Sequence, residues 1–250
     1  MARATVPRRL TWQLATVVDL IAETERVRSL VLDVPDWPGH VPGQHVDVRL
    51  TAEDGYQTQR SYSIATPAAG SLVTITVERV PDGEVSPYLV DELLVGDGLE
   101  LRGPIGGYFV WRPGGRRPLL LVAGGSGVVP LMAMIRARVA AASGDPVRLL
   151  VSARSWEELI YRRELETIEL EQDGISVVWT LTRSQPAGWT GYRRRVDLAI
   201  LTEVAWPLPD RPHCFVCGPT GFVETVASAL VDLGSAPDAI RTERFGPSGG

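Results

Sequence analysis

The stretch LLLVAGGSGVVP, residues 119–130, decides how the second half of this chain folds. Its continuous apolar run is typical of a buried parallel strand, and the apolar residues after the glycines begin a helix. Between the two, a glycine turn lets the backbone approach a phosphate, which the helix N-terminus then faces. Gly124, Gly125, Ser126 and Gly127 therefore predict a nucleotide-binding turn, although their spacing is not the G-x-G-x-x-G of ordinary dinucleotide folds. The alternative is a glycine turn that serves only tight packing.

Downstream of this stretch, buried strands alternate with amphipathic helices. Strands are predicted at 119–123, 147–152, 175–181, 214–217 and 240–245, and helices at 128–142, 156–172 and 220–233. This alternation is typical of a doubly wound parallel sheet.

Upstream, short strands rich in Val, Leu and Thr are divided by Gly, Pro and Asp turns, as in an antiparallel barrel. They are predicted at 12–19, 27–34, 45–50, 61–65, 73–80 and 99–102, with one helix at 86–94 capped by Ser86. A turn-rich segment at 112–118 separates the two patterns. The sequence therefore predicts an N-terminal antiparallel β-barrel, residues 1–112, and a C-terminal α/β doubly wound parallel sheet, residues 113–250.

Composition argues against several classes of protein. The net charge is −5 and the basic residues form only one short cluster, so nucleic-acid binding is not predicted. The longest apolar run is too short to cross a bilayer, and residues 1–10 lack the apolar core of a signal peptide, so we expect a cytoplasmic protein. Two cysteines and three scattered histidines predict no metal site and no iron–sulfur cluster, which normally takes four cysteines.

The segment RSYS, residues 60–63, lies on a predicted strand of the barrel. Strand alternation puts Arg60 and Tyr62 on one face and Ser61 and Ser63 on the other. An arginine beside a tyrosine can bind a phosphate by charge and a flat ring by stacking. The alternative is an ordinary surface pair.

A second barrel segment, Gly83-Glu84-Val85-Ser86, leads into the predicted helix. A helix N-terminus with a serine cap can bind a phosphate through its unpaired N–H groups. The turn is therefore a candidate phosphate site, with simple helix capping as the alternative.

Cys217-Gly218-Pro219 ends one strand and opens a helix, a position expected at the carboxyl edge of the sheet. Cys217 is interpreted as lining the dinucleotide site, the alternative being an inert buried cysteine. Cys214 is assigned to packing. A redox dithiol is not predicted, because the two sulfurs should face differently on the strand.

Basic and hydroxyl residues follow two of the predicted strands. Arg154 follows one, while Thr182 and Arg183 follow the next, in a loop that continues to Tyr192 and Arg193. A 2′-phosphate calls for arginine or a hydroxyl, whereas sites for NADH tend to present an acidic group to the ribose. No acidic residue occurs in this loop, which favours NADPH. The alternative is a solvated face, or one that docks an acidic partner.

In this order, RSYS, the glycine turn and Cys-Gly-Pro resemble the ferredoxin–NADP reductase family of flavoproteins over nearly the whole chain. The resemblance implies that Arg60 and the turn around Ser86 bind the flavin pyrophosphate. It also implies that Tyr62 stacks on the isoalloxazine, that Ser63 lies near flavin N5, and that the residues at 77 and 79 follow the flavin tail.

By the same resemblance, Cys217 borders the nicotinamide, and either Glu243 or Phe245 lies beside the flavin, although Phe245 could equally be a core residue. Thr182 and Arg183 would bind the 2′-phosphate, and Tyr192 would stack on adenine. Arg193 would replace a lysine that the family has here. The predicted catalytic residues are Ser63, Cys217 and Glu243. The predicted cofactor-binding residues are Arg60, Ser61, Tyr62, Ser63, Val77, Arg79, Gly83, Val85, Ser86, Gly124, Gly125, Ser126, Gly127, Arg154, Thr182, Arg183, Tyr192, Arg193, Cys217, Gly218, Pro219 and Phe245.

The resulting prediction is a reductase that transfers hydride from NAD(P)H to bound FAD and electrons onward to a separate redox partner such as a ferredoxin. No fused iron–sulfur domain is expected. The longer turn around Ser86 favours FAD over FMN, and the basic loop favours NADPH over NADH. Two alternatives are a free flavin reductase and a non-catalytic flavin-binding subunit that regulates or docks within a larger redox complex.

Overall fold

The structure, a computed structural model, describes residues 10–207 and 212–246 of the 250-residue chain. Residues 1–10, which we expect not to be a signal peptide, lie almost wholly outside the described residues. In the part of the chain that is described, no helix has the length and apolarity needed to cross a membrane.

The first half is a six-stranded antiparallel sheet in the order β4-β3-β6-β1-β2-β5. The sheet closes on itself where Ile64, after β4, bridges Ile75 in β5, and where the Ala65 amide donates to the Thr74 carbonyl at 2.7 Å. Val, Leu and Ile side chains fill the interior. The strands are β1 Gln13–Thr24, β2 Val27–Asp33, β3 His45–Thr51, β4 Gln57–Ser63, β5 Leu72–Glu78 and β6 Gly98–Ile105.

The second half is a five-stranded parallel sheet in the order β11-β10-β7-β8-β9. Helices α1 and α2 pack on one face, and α3 and α4 pack on the other. The strands are β7 Leu119–Gly124, β8 Val147–Ala153, β9 Ile175–Leu181, β10 His213–Pro219 and β11 Ile240–Phe245. The helices are α1 Val128–Ala140, α2 Arg162–Glu171, α3 Leu198–Val204 and α4 Thr220–Asp232.

Three local expectations differ from the structure. The helix at 86–94 is a shorter helical segment containing a π-turn at Tyr88–Glu92, and Ser86 does not cap it, because its hydroxyl accepts the Val80 amide at 3.0 Å. Helix α2 begins six residues later than expected, after Tyr161 adopts a left-handed conformation with φ of 58°. Helix α3 was not predicted, although Asp197 caps it by accepting the Ile200 amide, an ordinary start signal.

The two halves share one apolar cluster. Ala65 from the barrel and Phe109 and Trp111 from the connecting segment pack with α1 and with the α2 face of the parallel sheet. Strand β4 therefore ends beside the helix that begins at the glycine turn. The division at residues 112 and 113 stays a prediction.

Candidate functional site

The carboxyl ends of the parallel strands lie along one edge of the sheet. Strands β7 and β10 are neighbours there, although β8 and β9 separate them in the sequence, so the chain order reverses between them. Such a switch point opens a crevice in which α/β sheets bind their ligands. The glycine turn follows β7, and Cys217 to Pro219 end β10, so both predicted segments border this crevice.

The glycine turn packs directly against the end of β10. A Cβ on Gly127 would lie 2.1 Å from the Cys217 carbonyl oxygen, and a Cβ on Gly124 would lie 2.9 Å from the Phe222 ring. Gly125 has a φ of +57°, a conformation that favours glycine. Tight packing thus accounts for two of these glycines, and it brings the start of α1 beside Cys217.

Cys214 and Cys217 face opposite sides of β10. Cys214 packs in the apolar cluster of α3 and α4, whereas Cys217 packs in the cluster of α1 that also contains Phe109 and Trp111. Both thiols are free and buried. The structure therefore separates the two sulfurs, and it places Cys217 in the cluster that the two halves share.

Glu243 is the direct neighbour of Cys217 across the β10–β11 pairing. Burial raises the pKa of the Glu243 carboxyl to about 7. Burial, and after it the charge of Glu243, raises the pKa of the Cys217 thiol well above its ordinary value. The pair thus combines a neutral thiol with a carboxyl that can hold or release a proton near neutral pH.

The raised pKa of Glu243 predicts a pH-dependent contribution to stability. A carboxyl whose pKa is higher in the folded protein stabilises the fold below its ordinary pKa of 4.5, and this contribution is lost as the pH rises to about 7. A fully buried carboxyl with this shift would contribute about 3 kcal/mol, and we expect about half of that because Glu243 keeps some solvent contact. The free energy of unfolding of the apoprotein should therefore fall between pH 4.5 and 7.5 in wild type by about 1.5 kcal/mol more than it does in Glu243→Gln.

Chemical denaturation at a series of pH values measures this difference. Glu224→Gln, on the exposed face of α4, is the matched control and should follow the wild-type profile. Parallel profiles for Glu243→Gln and wild type would contradict the prediction.

The basic residues after β8 and β9 lie together. The Arg183 amide donates to the Arg154 carbonyl at 2.9 Å, and the Thr182 amide donates to the Ala153 carbonyl at 2.9 Å. Arg154 and Arg183 are both exposed. Two cations therefore flank the carboxyl edge at this end of the crevice.

Tyr192 and Arg193 are held by partners that the sequence interpretation did not include. The Tyr192 hydroxyl donates to Glu203 of α3 at 2.5 Å, and this hydrogen bond is the main cause of the raised pKa of the phenol. The Arg193 guanidinium donates to the Trp189 carbonyl at 2.7 Å. Glu203 was missed because α3 was missed, so an acidic side chain does lie beside the loop.

The RSYS residues lie at the end of β4. Tyr62 packs against the barrel core, and burial raises the pKa of its phenol. Ser61 lies on the other face, where its hydroxyl donates to Asp47 at 2.6 Å and Arg102 donates to the same carboxylate at 3.0 Å. The alternation of the strand is as predicted, but the Ser61 side chain is engaged by this ion pair.

Arg60 lies beside the turn at residues 83–86. Its guanidinium is 3.4 Å from a Glu84 carboxylate oxygen and is 55 % exposed. The hydroxyls of Tyr56 and Thr58 also donate to Glu84, at 3.2 and 3.1 Å. The structure thus brings together the two barrel segments that were predicted to bind the flavin pyrophosphate.

The remaining barrel residues that were predicted to bind the cofactor differ in their surroundings. Val77 and Val85 are buried in the barrel core, and Ser86 is also buried. Gly83 is closely packed, because a Cβ there would lie 3.0 Å from the Ser86 hydroxyl oxygen. Arg79 pairs with Asp91 of the π-turn at 2.5 Å, so it links β5 to that turn.

Phe245 closes β11 opposite Pro219 of β10. The residue is 36 % exposed and belongs to none of the buried apolar clusters. Its role beside the flavin stays a prediction. Glu243, two residues earlier on the strand, is half-buried. The end of β11 therefore presents an aromatic ring at the carboxyl edge of the sheet.

Comparisons with known proteins agree with this arrangement. Residues 15–110 match the model of an oxidoreductase FAD-binding domain, and residues 121–228 match that of an oxidoreductase NAD-binding domain. Ferredoxin–NADP reductase B of Sorangium cellulosum is 36 % identical over 209 residues, which cover 81 % of this chain and 84 % of the relative. The chain belongs to the ferredoxin–NADP reductase family.

Two further proteins extend the comparison. The glycine betaine monooxygenase reductase subunit of Pseudomonas aeruginosa is 33 % identical over 240 residues, which cover 94 % of this chain and 64 % of the relative. The chain thus spans just under two thirds of that subunit. The FAD/NAD-binding domain of nitric oxide dioxygenase from Vibrio cholerae has a TM-score of 0.84 at 27 % identity, covering 94 % and 99 % of the two chains.

Membership of the ferredoxin–NADP reductase family confirms the predicted fold class, the assignment to the oxidoreductases, and FAD with a nicotinamide dinucleotide as cofactors. RSYS, the glycine turn and Cys-Gly-Pro all fall inside the matched ranges, whereas Glu243 and Phe245 lie beyond residue 228. The roles of individual residues stay predictions.

Proposed function

We propose that this chain takes hydride from NADPH onto bound FAD and passes the electrons to a separate acceptor protein. The observation that carries the proposal is the shared cluster between the two halves. Cys217, at the end of β10, and Ala65, two residues after Ser63, belong to the same buried apolar cluster. A nicotinamide at the crevice and a flavin on β4 would therefore meet at one interface.

The barrel residues suit FAD. Arg60 is exposed beside the turn at 83–86 and would bind the pyrophosphate, while the half-buried Tyr62 ring would stack on the flavin. Ser63 would lie near the flavin N5 atom. When bound, FAD supplies the chemistry of accepting a hydride and releasing it as electrons.

The parallel sheet would hold the nicotinamide nucleotide. The glycine turn and the start of α1 would receive its pyrophosphate, and Cys217 would shape the surface on which the nicotinamide ring lies. Glu243 would hold a proton beside it, in keeping with its raised pKa. Arg183 and Arg154 support NADPH, because both are exposed cations at the adenosine end of the crevice.

The acceptor is proposed from the relatives. One relative is named as a ferredoxin–NADP reductase and another as a reductase subunit of a monooxygenase, and both names imply a second redox protein. We propose a ferredoxin or another redox subunit as the acceptor of this chain. A cytoplasmic location stays a prediction from the sequence.

The flavin site can be tested through Arg60. Removing a charge-assisted contact worth about 1.5–3 kcal/mol should weaken FAD binding by between about tenfold and a hundredfold. Arg60→Ala should therefore lose most of its FAD on desalting, as measured by absorbance, while its thermal unfolding stays cooperative. Arg49→Ala removes an arginine from the neighbouring strand β3 and should keep its FAD.

Full retention of FAD by Arg60→Ala would overturn the assignment of this residue. For the proposal as a whole, NADPH should bleach the wild-type flavin in the absence of oxygen. A colourless protein that reduces added flavin would instead be a free flavin reductase, and a yellow protein that neither nicotinamide bleaches would be a non-catalytic subunit.

A further inference from the structure

A chain of polar contacts joins the parallel sheet to the barrel through residues that lie outside both predicted cofactor segments. It begins at Arg136 on α1 and Tyr161, the residue before α2, and it ends on the barrel strands. None of the predicted site residues belongs to it. Three of its side chains, Ser29, Thr76 and Tyr161, are buried, so the contacts between them are shielded from solvent.

Arg136 connects three parts of the molecule. Its guanidinium binds both carboxylate oxygens of Glu164 on α2, at 2.8 and 2.6 Å. A remaining N–H donates to the carbonyl oxygen of Ala65 at 2.7 Å, across the boundary between sheet and barrel. The bidentate pair fixes the orientation of the guanidinium, so the bond to Ala65 has a defined direction.

Tyr161 forms the second contact across the boundary. Its hydroxyl donates to the Thr76 hydroxyl of β5, and its ring lies 4.7 Å below the Arg136 guanidinium. Ser29 donates to Glu23 at 2.6 Å, so its 2.7 Å contact with Thr76 must be a bond that Thr76 donates. The hydroxyl of Tyr161 therefore donates to Thr76, that of Thr76 to Ser29, and that of Ser29 to the Glu23 carboxylate. Each of the three hydroxyls thus has an acceptor.

The backbone supports this arrangement at a local cost. Tyr161 has a φ of 58°, a conformation that a bulky residue adopts only where its surroundings hold it there. The left-handed residue ends the loop before α2 and delivers the phenol into the barrel contact. It is also the reason why α2 begins later than its sequence pattern predicts.

We propose that Arg136 and Tyr161 are positioning residues that set the orientation of the nicotinamide-binding sheet against the flavin-binding barrel. Arg136 lies on the helix that begins at the glycine turn, and its acceptor Ala65 lies two residues beyond Ser63. Tyr161 holds Thr76, the neighbour of Val77 on β5. The two contacts thus tie the ends of the two predicted cofactor sites together. This inference rests on the proposed function.

The orientation itself can be measured without turnover. Nitroxide labels at Glu53→Cys, on an exposed turn of the barrel, and Glu171→Cys, at the end of α2, report the distance between the two halves, since both native cysteines are buried. We expect a single narrow distance distribution in the wild-type background. Arg136→Gln and Tyr161→Phe should each broaden or shift it, whereas Arg163→Gln, an exposed residue on the same helix α2, should leave it unchanged.

Holoenzyme measurements test whether the orientation matters for the reaction. A misplacement of about 1 Å between reacting groups can cost about a hundredfold in rate, so we expect flavin reduction by NADPH to slow at least about tenfold in both variants. The dissociation constant for NADPH should stay within about twofold, because neither residue borders the crevice. The charge-transfer absorbance of reduced flavin with NADP⁺, which depends on ring overlap, should weaken in the same variants and not in Arg163→Gln.

Unchanged distance distributions in both variants would overturn the proposal. It would also be overturned if the distances changed while the rate of flavin reduction and the charge-transfer absorbance stayed at their wild-type values. Tyr161→Phe keeps the test decisive if Arg136→Gln does not fold, because Thr76 retains its own acceptor when the phenol is removed. If neither nicotinamide reduces the wild-type flavin, the proposed function fails, and the distance distributions alone decide whether these residues orient the two halves.

Discussion

Cys217→Ser is expected to slow flavin reduction by NADPH about a hundredfold while leaving the flavin content unchanged. The thiol is 1 % exposed and faces the cluster shared with the barrel, next to Glu243. Serine has nearly the same size, but its hydroxyl requires a hydrogen-bond partner when buried. The nearest carboxyl is Glu243, and a new bond to it would change the polarity and the contact surface where hydride must align with the flavin.

Anaerobic stopped-flow absorbance separates this effect from binding. The limiting rate should fall, whereas the NADPH concentration that gives half of that rate should change little. Cys214→Ser is the matched control, since Cys214 lies on the same strand but packs on the opposite face of the sheet. Its reduction rate should stay near that of wild type. If both variants reduce flavin at the wild-type rate, Cys217 is a packing residue.

Arg183→Ala is expected to lower the preference for NADPH over NADH about thirtyfold, which corresponds to the loss of a charge-assisted contact of about 2 kcal/mol. Arg183 is exposed beside Arg154, at the end of the crevice where the adenosine would lie. Its cation would contact the 2′-phosphate, which NADH lacks. The Michaelis constant for NADPH should therefore rise, and that for NADH should stay nearly constant.

Steady-state kinetics with an artificial electron acceptor and both nicotinamides measures this ratio. Arg195→Ala removes the same charge three residues beyond Tyr192 and should leave the ratio nearly unchanged. A wild-type preference for NADH would show that this loop has been misinterpreted, and so would equal losses for both nucleotides in Arg183→Ala. The first outcome would agree with the bond between Tyr192 and Glu203, which brings an acidic group beside the loop.

Sequence patterns recovered the architecture because each depends on local rules. The strand at Ile175–Leu181 matches its expected bounds, since buried strands are largely apolar runs bounded by turn residues. The strand at Ile240–Phe245 also matches, although most of its residues are polar. Helix α3 was not predicted, because its seven residues are too few to show a helical periodicity. Only its capping aspartate indicated a helix. The π-turn after Ser86 was predicted as an ordinary helix, because a π-turn has no distinctive sequence pattern.

The residues of the candidate site were likewise predicted only in part from the sequence. Each predicted segment could be recognised by its own residues, and the structure brings the glycine turn to Cys217 and Arg60 to the turn at 83–86. Partners that come from distant parts of the chain could not be foreseen. Glu84 beside Arg60, Asp47 beside Ser61 and Glu203 beside Tyr192 are such partners, and they were not assigned from the sequence.

The sequence by itself determined the fold class and the order of the two halves, because these follow from periodicity and turn residues. The types of cofactor followed from the resemblance of its short motifs to the ferredoxin–NADP reductase family. Only the tertiary structure decided which face each side chain occupies and what it contacts. The Arg136 bond to Ala65 joins residues 71 positions apart, and the Tyr161 bond to Thr76 joins residues 85 apart. Contacts at such separations depend on how sheets and helices pack, and local patterns carry no information about that packing.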